Sequence, residues 1–480
     1  MGDTKKFSFM SVILSVICVV FVAEAAAPAA AIGNAQFFWW LFLIVTFLLP
    51  YGMVVAELGT TYDGDGGLYD WIRDAFGDKW GSRVAWYYWI NFPLWIASLA
   101  TLFPDILGMM FGIDMSLPIA LVIELAFVWI VVLMSFSKVS DSEWILNGGA
   151  VLKVAIAVVV GCLGIWFVSG HGFAADMSFK TFLPDLTDSS ALTYLSIILF
   201  NFMGFEVVCT FASSMENPEK DIPKAIILGG LAIAAVYLFC SFGIGAAIPA
   251  NEIDPDFGMI MAVATMVGEG SPIFMIICAT FLVTLFANMA SWSFGVNSVA
   301  DYAAQHGNMP KVFGIESEKT GMPNGAAITN GVVATLALLL QLIPIPAISE
   351  GIFWMLFSMN VVFLLISYIP MFPAFLKLRK VDPDRERVFT FPFKGTMMKL
   401  ALLVPAIELV LSIVATVVPL NAAEVATKLP MLIGVVVFIL LGEVVRVWSA
   451  RGREEEYKGL TPELAAQRLA EEAAEAATEA

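Results

Sequence analysis

The chain has 480 residues, of which 59% are hydrophobic and 14% charged, and its net charge is −17. No soluble chain of this length needs so much apolar surface, and the negative sign is wrong for a nucleic-acid partner. Cys18, Cys162, Cys209, Cys240 and Cys278 show no paired short spacing, and His171 and His306 lie far apart. No metal site, cofactor site or catalytic constellation is expected, and an enzyme is not the reading.

Apolar stretches long enough to cross about 30 Å of hydrocarbon recur along the chain. The first, about 7–33, follows Lys5 and Lys6 and runs into VAEAAAPAAAIG (22–33). A basic start, an apolar core and an Ala-rich end also describe a cleaved leader, with its site in 23–31. The alternative is a helix that comes apart inside the membrane. Glu24 is costly there, and Pro28 lacks an N–H and disfavours helix at Ala27. The small side chains of Ala25, Ala26, Ala27, Ala29 and Ala30 would let a ligand approach the backbone, and Ala23 is a further candidate substrate contact.

Further spans are expected at about 36–60, 83–111, 116–136 and 143–169. Asn91 lies in the third, and Lys153 in the fifth is the one basic residue in a span interior. The sixth, about 190–213, contains LFNFMGFEVVC (199–209). Asn201, Gly204 and Glu206 sit in its middle, and Gly204 weakens the helix there. Phe202 and Phe205 are candidate apolar walls or gates. The remaining spans are about 225–248, 272–303 (with Asn288 and Trp292), 325–343, 348–376 (with Asn360), 397–419 and 428–449. Residues 451–480 read as an acidic Ala/Glu-rich cytoplasmic tail.

Of the 25 Lys and Arg, all but Lys153, Lys180 and Lys428 fall in the loops on the side of the N-terminus. The positive-inside rule then places both ends in the cytoplasm of a bacterial-type inner membrane. The two interrupted spans, first and sixth, lie five spans apart. Such corresponding interruptions point to a transporter with two inverted repeats, spans 1–5 and 6–10. An unwound segment exposes backbone groups that lipid leaves unsatisfied and a zwitterionic amino acid satisfies. Its carboxylate suits the amides around Glu24–Ala29, and its ammonium suits the carbonyls of Asn201–Phe205.

Four blocks, AELGTTYDGDGGLYDWIRDAFGDKWG (56–81), KTFLPD (180–185), FMGFEVVCTFASSMENPEKDIPKAI (202–226) and ASWSFGVNSVADYAAQHGNMPKVF (290–313), resemble in order those of the amino acid–polyamine–organocation superfamily. Within it the chain is most similar to the glutamate/γ-aminobutyrate antiporter family. The resemblance implies an all-α integral membrane fold of twelve transmembrane helices. Ten form a five-plus-five inverted repeat of the LeuT type with helices 1 and 6 broken, and two more follow. The transporter domain would span 1–450, with repeats at about 7–169 and 190–376 and the added helices at 397–449. The resemblance also implies secondary active amino-acid transport by alternating access. It puts Glu206 where relatives carry an acidic residue linked to substrate or proton coupling, and Trp292 where they carry an aromatic that closes the cavity. Lys153 resembles a lysine that takes the place of a sodium ion, and should donate to span-1 carbonyls near 23–28 or to Ser291 or Ser293.

Two departures from the family pattern bear on substrate. Alanines replace the Gly-Ser-Gly signature in span 1, and Asn288 stands where the glutamate transporter has an acidic residue, which argues against glutamate. Glu24 beside the pocket would favour an amine or cationic side chain. Asn91, Trp95, Ser358, Asn360 and Phe363 are candidate pocket residues, while Glu57, Asp105, Glu124 and Glu408 have no role assigned from sequence. The expected activity is exchange of an amino acid for an amine or related metabolite. The alternatives are proton-coupled uptake on the same fold and, remotely, a non-transporting amino-acid sensor. A homodimer is compatible with the sequence.

Overall fold

The computed structural model describes residues 8–62, 66–138, 142–185, 189–209, 215–344 and 351–456. The expected tail beyond 456 lies outside them. Among the described residues, ten helices are long and apolar enough to span a membrane. They are Ala35–Thr61, Asp78–Phe111, Leu117–Met134, Glu143–His171, Pro218–Ala247, Pro272–Gln305, Asn324–Leu342, Ile352–Val381, Gly395–Val417 and Val425–Arg451. An eleventh is the bent pair Phe9–Val20 and Ala23–Ala30, whose axes differ by 54°. The expected sixth span appears as two short helices, Ser189–Phe200 and Phe205–Cys209. We number the spans in that chain order, the bent pair as first and the split pair as sixth.

Burial sorts the spans into centre and periphery. In the tenth span 83% of the apolar window is buried, against 17% in the twelfth. The outward faces of the spans expose Val45, Leu133, Ile276, Leu411 and Val444. An exposed apolar belt of this kind belongs against lipid. The third span packs along the tenth, and the fifth along the seventh. The latter crossing is close because Gly243 has no side chain, and a Cβ there would run into the Val160 carbonyl.

The first break lies earlier than Pro28. Phe21 and Val22 are extended, and helix resumes at Ala23. Ala27 is helical and Pro28 lies within Ala26–Ala30, contrary to the expectation that Pro28 itself interrupts the helix. Pro28 is the third residue of the α-helix Ala26–Ala30, within its first turn, where a missing N–H costs little. The sixth-span break is at Asn201–Gly204, where Gly204 adopts φ +109°.

Candidate functional site

The unwound stretch of the first span is buried, and several backbone groups there and on either side meet side chains from other spans. Lys153 Nζ, in the fifth span, donates to the Cys18 carbonyl, to the Phe21 carbonyl at 2.7 Å, and to Asn288 Oδ1 at 2.6 Å. Trp292 Nε1, in the eighth, donates to the Val19 carbonyl at 2.7 Å. The Tyr237 hydroxyl, in the seventh, accepts from the Val22 N–H at 2.7 Å and donates to the Val22 carbonyl at 3.1 Å. Asn201 Nδ2 reaches the Ala25 carbonyl at 3.3 Å, and Ser241 Oγ the Ala26 carbonyl at 3.2 Å. Buried backbone polar groups need such partners, and irregular backbone at membrane depth persists only inside protein.

Lys153 therefore joins the first break to the fifth and eighth spans, through Cys18 and Phe21 rather than through residues 23–28. Ser291 and Ser293 instead bond back to Asn288 and Ala290 of their own helix. An ammonium holds up to three donors at one point, which suits three converging acceptors.

The second break centres on Glu206, buried in the first turn of Phe205–Cys209. The Tyr88 hydroxyl donates to Glu206 Oε1 at 2.8 Å and the Tyr51 hydroxyl to Oε2 at 2.9 Å. The Gly204 N–H is shared between the Tyr51 and Tyr368 hydroxyl oxygens, at 3.3 and 3.2 Å. Three tyrosines from the second, third and tenth spans thus converge on one turn of the sixth. Sequence reading missed all three. A tyrosine in a span interior that must find a hydroxyl partner was the available signal.

Aromatic rings join the two breaks. Trp292 meets Trp95 edge-on at 5.2 Å, Trp95 meets Phe200 at 5.2 Å, and Phe200 meets Phe357 at 5.6 Å. Phe202 packs edge-on against Trp40 at 4.9 Å, and Phe205 lies 5.9 Å from Tyr51. Asn91 is one helical turn from Trp95, and Asn360 one turn from Phe357. Ala23, Ala25, Ala26, Ala27 and Pro28 are all buried.

Several polar atoms in this region are buried without a hydrogen-bond partner: Glu24 Oε1, Asn91 Oδ1, Asn201 Oδ1, Trp95 Nε1, Asn288 Nδ2 and both amide atoms of Asn360. Natural interiors leave few such atoms, and their grouping around the two breaks makes this region the candidate site for a polar ligand.

A separate network, at the far end of the second span, ties that span to the tenth. Buried Glu57 accepts from Arg379 Nε at 2.7 Å and from the Phe391 N–H at 2.6 Å, and pairs with Arg387 at 3.4 Å. Arg385 donates to the Thr61 carbonyl at 2.9 Å. Glu57 therefore has a role that the sequence did not assign.

The sequence profile of a family described as "Amino acid permease" matches residues 7–441. A probable agmatine/putrescine antiporter of Lactococcus lactis is 50% identical over 445 residues, covering 92% of this chain and 94% of that one. A serine/threonine exchanger of Bacillus subtilis is 25% identical over 375 residues, 77% and 80% of the two chains. A glutamate/γ-aminobutyrate antiporter of Lactococcus lactis is 21% identical over 407 residues, 81% and 78%. Among solved structures, MhsT in complex with L-phenylalanine has the same fold, with a TM-score of 0.54 at 16% identity, covering 86% of this chain and 100% of that one.

Proposed function

Because the chain belongs to the amino acid permease family, a family of membrane transporters, we propose that it is an antiporter that exchanges one small cationic amine for a related one. The observation that carries this reading is that four of the seven unpaired buried atoms named around the two breaks, among them the one carboxylate oxygen, are acceptors. Glu24 Oε1, Asn91 Oδ1, Asn201 Oδ1 and Asn360 Oδ1 are buried acceptors awaiting donors. Ammonium and guanidinium groups are donor-rich and lack acceptors. The relative at 50% identity, a probable agmatine/putrescine antiporter, supports the same class.

In this reading Asn201, Phe202, Gly204, Trp292 and the first-break residues 23–28 enclose the substrate, with Asn91, Asn288 and Asn360 along its length. Glu206 couples substrate occupancy to the tyrosines of three other spans. Lys153 holds the first break in place of a free cation. The two halves, about 7–169 and 190–376, rock about this site, with the spans from 397 to 449 outside it. The distribution of Lys and Arg supports cytoplasmic termini.

The test is exchange in proteoliposomes. Vesicles preloaded with putrescine should release it when agmatine is added outside, and empty vesicles should take up little of either. Uptake into empty vesicles driven by an imposed proton gradient alone would replace the antiporter with a symporter.

A further inference from the structure

Glu24 is the one acidic residue on the resumed half-helix Ala23–Ala30, where every other side chain is alanine or proline. It is 4% exposed, and its Oε1 has no hydrogen-bond partner among the described residues. Trp95 lies near this carboxylate, and its indole N–H is likewise buried without a hydrogen-bond partner. Lys153 acts on Glu24 through space but directs its hydrogen bonds to Cys18, Phe21 and Asn288. A buried carboxylate without a directly bonded cation is an incomplete arrangement that a cationic ligand completes.

The same carboxylate bears on what is refused. An amino acid presents its α-carboxylate to the backbone of such a break, and here the same backbone segment already carries the Glu24 carboxyl group, which is ionised when it pairs with an ammonium. A second carboxylate would meet the first in a dry site, where like charges oppose each other far more than in water. An amine made by removing that carboxyl group brings no such charge.

Resting on the exchange reading above, we propose that Glu24 selects decarboxylated amines over the amino acids that share their side chains. Its carboxylate receives the amine's ammonium and repels an α-carboxylate presented at the same place.

Two substrate pairs differ only by that carboxyl group: agmatine with arginine, and putrescine with ornithine. The test measures each against vesicles preloaded with putrescine, for wild type, Glu24→Gln and Glu24→Asp. It also measures the thermal shift that each compound gives the detergent-solubilised protein. Wild type should prefer each amine by about a hundredfold or more. Glu24→Asp should keep the preference, because the charge stays. Glu24→Gln should lose at least about a tenfold share of it, with arginine and ornithine rising relative to their amines.

A wild type that treats both members of a pair alike overturns the proposal. So does a Glu24→Gln protein that keeps the wild-type ratio, or a Glu24→Asp protein that loses it. Where a variant binds but does not exchange, the ratio of thermal shifts within each pair replaces the ratio of fluxes, with the same outcomes for and against. A wild type that discriminates in thermal shift yet shows no internal-amine requirement for flux refutes the antiporter and leaves the selectivity standing.

Discussion

Replacing Gly204 by alanine tests whether the sixth-span break requires its observed geometry. Gly204 has φ +109°, and among the described residues no non-glycine has a positive φ. Holding a side-chain-bearing residue there costs about 1–3 kcal/mol. The new Cβ would also lie 2.8 Å from Trp292 Cζ2, with Trp292 Cη2 and Val19 Cγ1 at 3.3 Å. Overpacking of that kind adds about 1–3 kcal/mol. The sum is about 2–6 kcal/mol against this conformation, and its lower bound reduces the population of a state in equilibrium about 30-fold. Exchange rates in proteoliposomes and melting in detergent would be measured for Gly204→Ala, Trp292→Phe and the double variant. Phenylalanine lacks the outer indole ring, so the packing part should return in the double variant while the backbone part does not. A coupling of about 1–3 kcal/mol is expected. Wild-type behaviour of Gly204→Ala, or strictly additive effects, would refute the account.

Arg379→Ala removes the main partner of buried Glu57 and should cost about 3 kcal/mol, the low end for a broken buried pair because Arg387 remains. Glu57→Gln combined with Arg379→Ala should melt above Arg379→Ala alone, and a double variant that melts lower would contradict the assignment. Asp256, in the loop before the helix Gly258–Val267, has its pKa pushed up to about 7 by burial first, then by Asp254 and Asp105. Its folded-state value lies above the ordinary 3.8, so the folded protein binds more protons and loses stability as pH rises from about 4 to 7. Asp256→Asn should therefore flatten the melting-temperature profile over that window and raise its neutral end. An unchanged slope would place the burial elsewhere.

The span pattern was legible because lipid imposes a length and a composition on every crossing. Glu24, Lys153, Asn201 and Glu206 stood out because a polar residue in hydrocarbon demands a reason. Their partners did not. The Tyr51 and Tyr88 hydroxyls reach Glu206 across 155 and 118 positions of sequence, and no periodicity encodes such a meeting. Pro28 drew attention from the true break at Phe21–Val22, where Val22 is a β-branched residue in an apolar run and carries no breaker signal. Asn288, read as a departure near the substrate, also receives the Lys153 ammonium. That pairing required knowing that the fifth and eighth spans touch.

The ammonium at the first break is covalently part of the chain. A free ion in that position would have to arrive and leave within each cycle, and its gradient would then enter the energetics of transport. Lys153 never dissociates, so in the exchange proposed above no ion at that position would add to the charge moved per turnover. Agmatine and putrescine each carry two positive charges near neutral pH. If the exchange proposed above takes them one for one, it would transfer no net charge, and the membrane potential would neither drive nor oppose it. Direction would follow the two concentration ratios, so a cell that consumes one amine and accumulates the other would sustain the flux without drawing on its ion gradients.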